Sequence, residues 1–444
     1  MLYRDAFSRS ARAAGQQATG YGLQARQRAP SPLAGEGRGE GSRARRAPRY
    51  SLQPTAYSLA TGVALALLAC GSASSANWEF APRIEGGYRY NDNYRLELPG
   101  GEIEVSGAEA DAAFTVRTVD PRTRIELTPR IRATYFPDEP EQDSTDYFFA
   151  ALLEDETPRR RMGFLADVAR EDVVRSEFPG ADIDGGLGDP EEGDSGRFIE
   201  ENRRDLIRLA PHFSYDLSQR YRLDLEARYV DANYDRDVQG AQQDFSDLAA
   251  SAGAGIRISP RSILLLRGVA SRYETNVEAD AYGGEIEWGA DLSPTSHFYL
   301  RLGAQQTEPD NGESHSNVIA GVGGQWQSQR NRLFLDLTRT VGPVAAGTIV
   351  ERHQLRFRLG HDISQRLSTV LGARVSRDEA IDDLSTHPTR EYAAAEAGLE
   401  WRMLRQWALI ATYSYRWQEY EDEPSDASAN GFLIGLVYEP KRAE

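Results

Sequence analysis

Tyr221-Arg222-Leu223-Asp224-Leu225-Glu226-Ala227-Arg228-Tyr229 alternates an apolar or aromatic side chain with a charged one at every step. A period of two belongs to an extended strand, whose successive side chains project to opposite faces. One face of this stretch is apolar and the other carries only Arg, Asp and Glu. The pattern recurs in 124–135, where Ile125, Leu127, Ile131, Ala133 and Tyr135 oppose Arg124, Glu126, Arg130 and Arg132. It returns as Leu355, Phe357 and Leu359 against Arg356 and Arg358, and as Phe432, Ile434, Leu436 and Tyr438 against small residues.

Turn signals punctuate the alternation at Asp120-Pro121-Arg122, Thr157-Pro158-Arg159, Ser218-Gln219-Arg220, Ser259-Pro260-Arg261, Ser293-Pro294-Thr295, Ser328-Gln329-Arg330, Ser364-Gln365-Arg366 and Leu404-Arg405-Gln406. Most neighbouring turns lie 34–41 residues apart, one hairpin per interval. Between them run longer acidic stretches, among them 137–141, 308–313, 378–383 and 419–426. Short basic turns on one side and acidic loops on the other are the pattern of an outer-membrane barrel, with the turns at the periplasmic end. The pattern predicts an all-β fold over 77–444, a transmembrane antiparallel up-and-down β-barrel of about 18 strands, with 16 as the alternative count. An even number puts both chain ends at the turn side. A soluble two-sheet or solenoid fold would not need charge on the enclosed side of nearly every strand.

Composition narrows the function classes. The 444 residues include 40 Gly, 21 Tyr and one Cys, and the formal net charge is −17. A lone Cys70 excludes a disulfide framework, an iron–sulfur cluster and a thiolate zinc site. The acidic balance argues against nucleic acid as a partner, because phosphate affinity needs a basic surface. No cofactor motif is present.

The segment 59–70 is an apolar run of 12 residues, preceded by Arg45, Arg46 and Arg49 and followed by Ser74-Ser75-Ala76. That order reads as a signal peptide over 49–76, cleaved after Ala76; a lipobox ending at Cys70 is the rival reading. Residues 1–48 have no hydrophobic period and read as disordered, or as translation from a start codon placed too far upstream. Losing 1–76 removes ten arginines and three acids, which leaves −24 on the mature chain.

A charge on the lipid side costs about 2–4 kcal/mol at the bilayer midplane. The apolar face is therefore expected outward, with Tyr88, Tyr135, Trp288, Trp401 and Tyr413 among the interfacial aromatics. The expected lumen lining is Arg124, Glu126, Arg130, Arg132, Arg222, Asp224, Glu226, Arg228, Arg332, Asp336, Arg356 and Arg358. Mixed signs let such a wall neutralise itself through cross-strand pairs, or offer arginine forks to anionic or sugar groups. An 18-stranded bore holds water unless a loop fills it, and 175–200 is the expected plug or lid.

Two stretches resemble chemical sites. Gly312-Glu313-Ser314-His315-Ser316-Asn317 is similar to the outer-membrane phospholipase signature but one residue short. Adjacent His315 and Ser316 would lie on opposite faces of a strand, so no base would reach the hydroxyl and no catalytic residue is expected. Asp182, Asp184 and Asp189 open like a calcium loop, yet lack its later ligands and read as a solvated acidic loop.

Tyr88-Arg89-Tyr90-Asn91-Asp92-Asn93, following Trp78-Glu79-Phe80-Ala81-Pro82, resembles the opening of outer-membrane β-barrel porins found with exopolysaccharide gene clusters of the PEP-CTERM/exosortase type. Tyr90, Asp92 and Asn93 match that strand-exit motif. The resemblance implies a porin-like conduit or accessory for surface polysaccharide export or solute diffusion in the outer membrane of a Gram-negative bacterium. Its expected partners are outer-membrane lipid and lipopolysaccharide, the barrel-assembly machinery and polysaccharide. A closed structural or adhesion barrel is the alternative, and a barrel hydrolase a remote one.

Overall fold

The computed structural model describes residues 78–118, 120, 122–176, 202–235, 242–310, 312–381 and 388–440. Eighteen strands follow one another: β1 (Trp78–Asn91), β2 (Val105–Thr118), β3 (Thr123–Tyr135), β4 (Ser144–Glu156), β5 (Arg160–Asp172) and β6 (Arg203–Asp216). Next come β7 (Tyr221–Tyr234), β8 (Phe245–Ser259), β9 (Ser262–Glu274), β10 (Glu278–Ser293), β11 (Ser296–Pro309) and β12 (His315–Gln327). The last six are β13 (Asn331–Val344), β14 (Thr348–Asp362), β15 (Leu367–Ala380), β16 (Arg390–Leu404), β17 (Trp407–Tyr420) and β18 (Ala427–Tyr438). Each pairs antiparallel with the next, and β1 pairs with β18 from Ile84↔Tyr438 to Asn91↔Gly431, closing the barrel.

The turns explain the repeated Ser-x-Arg triplet. In Ser218, Ser328 and Ser364 the hydroxyl accepts the backbone N–H groups two and three residues on, at 3.1–3.4 Å. Asp120 does the same for Arg122 and Thr123, and these two hydrogen bonds hold its carboxyl below the usual range. A short side chain that satisfies two amides fixes the hairpin reversal, and with it the register of both strands.

Strands of 12–16 residues exceed the 9–11 or so needed to cross a bilayer at a tilt. Leu300, Leu302, Leu337 and Ile434 stand exposed on the outer face, as do Tyr88, Tyr135, Trp288, Trp401 and Tyr413. A continuous apolar band of this kind is stable only against lipid. Towards the loop end the outward positions turn polar, with Asp205, Asp231, Glu274 and Glu391, so the strands outrun the band there.

The strand count agrees with the sequence expectation, and one detail of the loops differs. The loop side is not uniformly long: residues 275–277 join β9 to β10, and 345–347 join β13 to β14.

Candidate functional site: a lumen folded over at its loop end

The charged residues picked from sequence sit on the face opposite the exposed apolar band, and most are ion-paired. Arg130 and Arg132 share Asp111 at 2.8 Å each, and Arg124 meets Glu126 at 3.0 Å. Arg222 pairs with Asp224 at 2.7 Å, Arg228 with Asp247 at 2.5 Å, and Arg356 with Asp336 at 2.5 Å. Glu226 lies 3.8 Å from Arg267, a residue the sequence argument passed over, which also binds Glu285 and Glu287 at 2.9 and 3.0 Å. Arg89–Glu109 and Arg352–Asp378 are further pairs across neighbouring strands. Wherever a guanidinium projects inward, a neighbouring rung of the ladder usually supplies its carboxylate. Among the described residues, Arg332 and Arg358 have no such partner.

A cavity of about 680 Å³ lies between the β6–β11 wall and the β13–β14 hairpin, reached by Arg228, Arg267, Arg301 and Arg356 among others. Tyr299 lies on its wall and donates its hydroxyl to Asp336. A Cβ at Gly323 would come within 2.8 Å of that ring, and one at Gly321 within 3.4 Å. The two glycines are what let the aromatic ring rest against the strands.

The loop end is narrowed by two elements. The first is the connection 92–104, which turns into the barrel. Tyr94 and Leu96 are buried, Leu96 in one apolar cluster with Tyr392, Ala394, Ala427 and Ala429, and Tyr94 in another with Val105, Phe136 and Val174. These partners come from the inner faces of β16 and β18 on one side and from beyond β3 and β5 on the other. Arg416 donates to the carbonyls of Asn93 and Tyr94 at 3.3 and 2.7 Å, and Gln418 to that of Leu96 at 3.0 Å. Leu96 has φ of 60°, a left-handed conformation that costs a branched residue about 1–2 kcal/mol. Asn93 brackets it: its amide oxygen accepts Glu97 N–H at 2.9 Å, and its Nδ2 donates to Glu97 O and Ser428 O. Burial raises the Glu97 carboxyl above its usual value, Arg95 opposes the shift, and Glu423 adds to it.

The second element is the tip of the β13–β14 hairpin. Ala345 is fully buried in a cluster with Ala169, Leu206, Val230, Ala232 and Phe245, from the inner faces of β5 to β8. β5 lies nine strands from β14 in an 18-strand ring, so this cluster extends to the far wall. The Gln243 amide donates to Ala345 O at 2.6 Å, and the Tyr273 hydroxyl to Val341 O at 3.2 Å. Gly347 has φ of +79°, and a Cβ there would fall 2.3 Å from Asn276 Nδ2.

The sequence signal for both elements was a break in alternation. Val230, Ala232 and Phe245 are apolar at inward positions, and so are Tyr392, Ala394 and Ala429. In the strand-exit motif, Tyr90 packs beside Phe432 at 6.5 Å between ring centroids, and Asp92 accepts Asn430 N and Nδ2 at 2.6 and 2.7 Å. Asn93, matched in sequence as part of the strand-exit motif, also organises the inward loop. His315 and Ser316 occupy successive rungs of β12, opposite Thr307 and Gln306, and so face opposite sides. The expected plug over 175–200, the acidic set Asp182, Asp184 and Asp189, and the leader with Cys70 lie outside the described residues, save the backbone of 175–176.

No family model matches the sequence, and no curated protein matches it. Among solved structures, the siderophore receptor PirA from Pseudomonas aeruginosa aligns over 81% of this chain and 80% of its own, at 9% identity and TM-score 0.37. OccK2 (OpdF) from Pseudomonas aeruginosa, solved in complex with glucuronate, covers 82% and 99% at 11% identity and TM-score 0.41. OccAB1 from Acinetobacter baumannii covers 83% and 100% at 9% identity and TM-score 0.41. The barrel assignment itself rests on the closed ladder of strand pairs.

Proposed function

We propose that the protein is an outer-membrane, porin-like conduit for polar solutes, held shut or narrow at its loop end by the 92–104 segment and the β13–β14 tip. The observation that carries this reading is the hairpin tip sharing one apolar cluster with the wall as far round as β5. Solutes entering from the turn end meet a wall whose inward charges are mostly ion-paired, with Arg332 and Arg358 as the exceptions among the described residues. Passage of a polysaccharide strand, the function implied by the family resemblance, requires both elements to withdraw, because each occupies part of the cross-section. The alternative of a closed structural barrel is favoured by the same contacts if neither element ever leaves.

Planar-bilayer conductance of the full-length protein, purified from membranes, separates the two. Steps are expected from the native protein or from variants that release either element, Arg416→Ala with Gln418→Ala for the 92–104 segment and Gly347→Ala for the β13–β14 tip. Silence from native protein, both release variants and a 177–200 deletion, all with the heat-modifiable mobility of a folded barrel, refutes the conduit and leaves the structural reading.

A further inference from the structure

Among the described residues, Arg332 and Arg358 are the two inward strand arginines with neither a carboxylate at ion-pair distance nor any other polar partner. They lie together. Across β12, β13 and β14, one rung reads Gln325, Phe334, Arg358 and the next reads Gln327, Arg332, Gly360. One rung further into the bore, Asp336 faces Arg356 and the usual pairing resumes. The Arg332 head lies over Gly360, whose missing Cβ would stand 3.6 Å from Nε and 3.9 Å from Nη2. Arg358 Nη2 is buried and makes no hydrogen bond.

Both arginines, both glutamines and Phe334 belong to a recess of about 500 Å³ at the turn end of the wall. Asp291 also lines it, with one carboxylate oxygen hydrogen-bonded to His297 Nδ1 at 3.0 Å and the side chain largely exposed. Phe334 is 38% exposed although it points into the bore, with the Arg356 guanidinium 5.6 Å from its ring centroid. Two diagonal guanidiniums repel each other, and a barrel that compensates its other arginines has no structural need to leave these bare. An oxyanion bound across the two forks removes that repulsion, with the bidentate geometry arginine favours. The amides of Gln325 and Gln327 each offer a donor and an acceptor, as neighbouring hydroxyl groups require. An aromatic face beside them suits the apolar side of a ring.

We propose that this recess binds an acidic sugar from the turn end, with the carboxylate across Arg332 and Arg358, the hydroxyls on Gln325 and Gln327, and the sugar ring against Phe334. The proposal rests on the conduit reading for how the ligand arrives, but binding itself requires no open pore.

The test is titration of the full-length protein in detergent with galacturonate, galactose and acetate, followed by calorimetry or saturation-transfer NMR. Galacturonate is expected to bind at least about tenfold more tightly than either half-probe, since each lacks one set of contacts. The R332Q/R358Q variant, folded by its heat-modifiable mobility, is expected to lose at least about tenfold in galacturonate affinity. F334L is expected to bring galacturonate down towards acetate. Equal affinity for galacturonate and acetate in the native protein, or unchanged affinity in R332Q/R358Q, overturns the proposal. Binding in a protein that never conducts refutes the conduit alone; conduction without binding refutes the sugar site alone.

Discussion

Gly347→Ala tests whether the hairpin tip is held by its docking contacts. The native φ of +79° is left-handed, where any residue with a Cβ pays about 1–2 kcal/mol. The new methyl would also start 2.3 Å from Asn276 Nδ2 and 3.0 Å from Gln243 Cγ, so both side chains must move before the tip can seat. At 1.4 kcal/mol per tenfold, strain alone raises the undocked fraction about 5- to 30-fold, and the displaced Asn276 adds to it. The readout is the rate at which a bulky maleimide modifies Cys introduced as Ala345→Cys in a Cys70→Ser background, since Cys70 is the chain's one thiol. Ala345 is fully buried, so labelling must pass through the undocked state and its rate follows that population. Asn276→Ala is expected to return part of the effect, because it removes the clash and leaves the backbone strain. An unchanged labelling rate in Gly347→Ala would refute the claim that these contacts seat the tip.

Arg416→Met removes the donor to the Asn93 and Tyr94 carbonyls, contacts worth about 1.5–3 kcal/mol as charge-assisted bonds, and is expected to speed protease cleavage within 92–104 by tenfold or more. Leu302→Arg places a charge in the middle of β11 on the outer face and is expected to cost about 2–4 kcal/mol in urea unfolding from lipid vesicles. Glu97 supplies a pH test. Its carboxyl titrates higher in the docked loop than in the free chain, so protonation favours docking. That increment is fully present below the free-chain value and is lost as pH rises through the docked value. Cleavage of 92–104 is therefore expected to be slowest in acid and to quicken towards neutrality, with Glu97→Gln flattening the profile.

The barrel was legible because lipid imposes one rule on every outward residue, and Leu223, Leu225, Leu300 and Leu302 obey it in plain alternation. The turns were legible because a Ser or Asp that caps two amides must sit at a fixed place. What the pattern hid was any segment leaving the wall. Val341, Val344, Ala345 and Ile349 are apolar on both sides because the hairpin tip is enclosed on both sides, and a two-residue period cannot register that. The inward apolar residues Ala232, Phe245 and Tyr392 were the complementary trace, readable only once their partners across the bore were known. Pairing was half legible: mixed charge on the inner face announced ion pairs, but which carboxylate met which arginine depended on register. The bare pair Arg332 and Arg358 looked identical to its paired neighbours in sequence, since Gly360 and Gln327 stand opposite Arg332 only through the ladder.

Several hydrogen bonds that anchor the 92–104 segment reach across the place where the ends of the chain join, while Tyr94 and Arg95 hold its other side to Phe136, Val174 and Gln142. Asn93 holds Ser428, Asp92 holds Asn430, and Arg416 holds Tyr94, contacts between residues more than 320 positions apart. Such long-range contacts cannot form until the first and last strands have met. The seam-crossing bonds of 92–104 therefore depend on closure of the barrel, whereas the β13–β14 tip can dock on β5 to β8 without it. Loss of the Asp92 or Asn93 side chain is therefore expected to leave the ladder of neighbouring strands in place and to loosen the chain where its two ends meet.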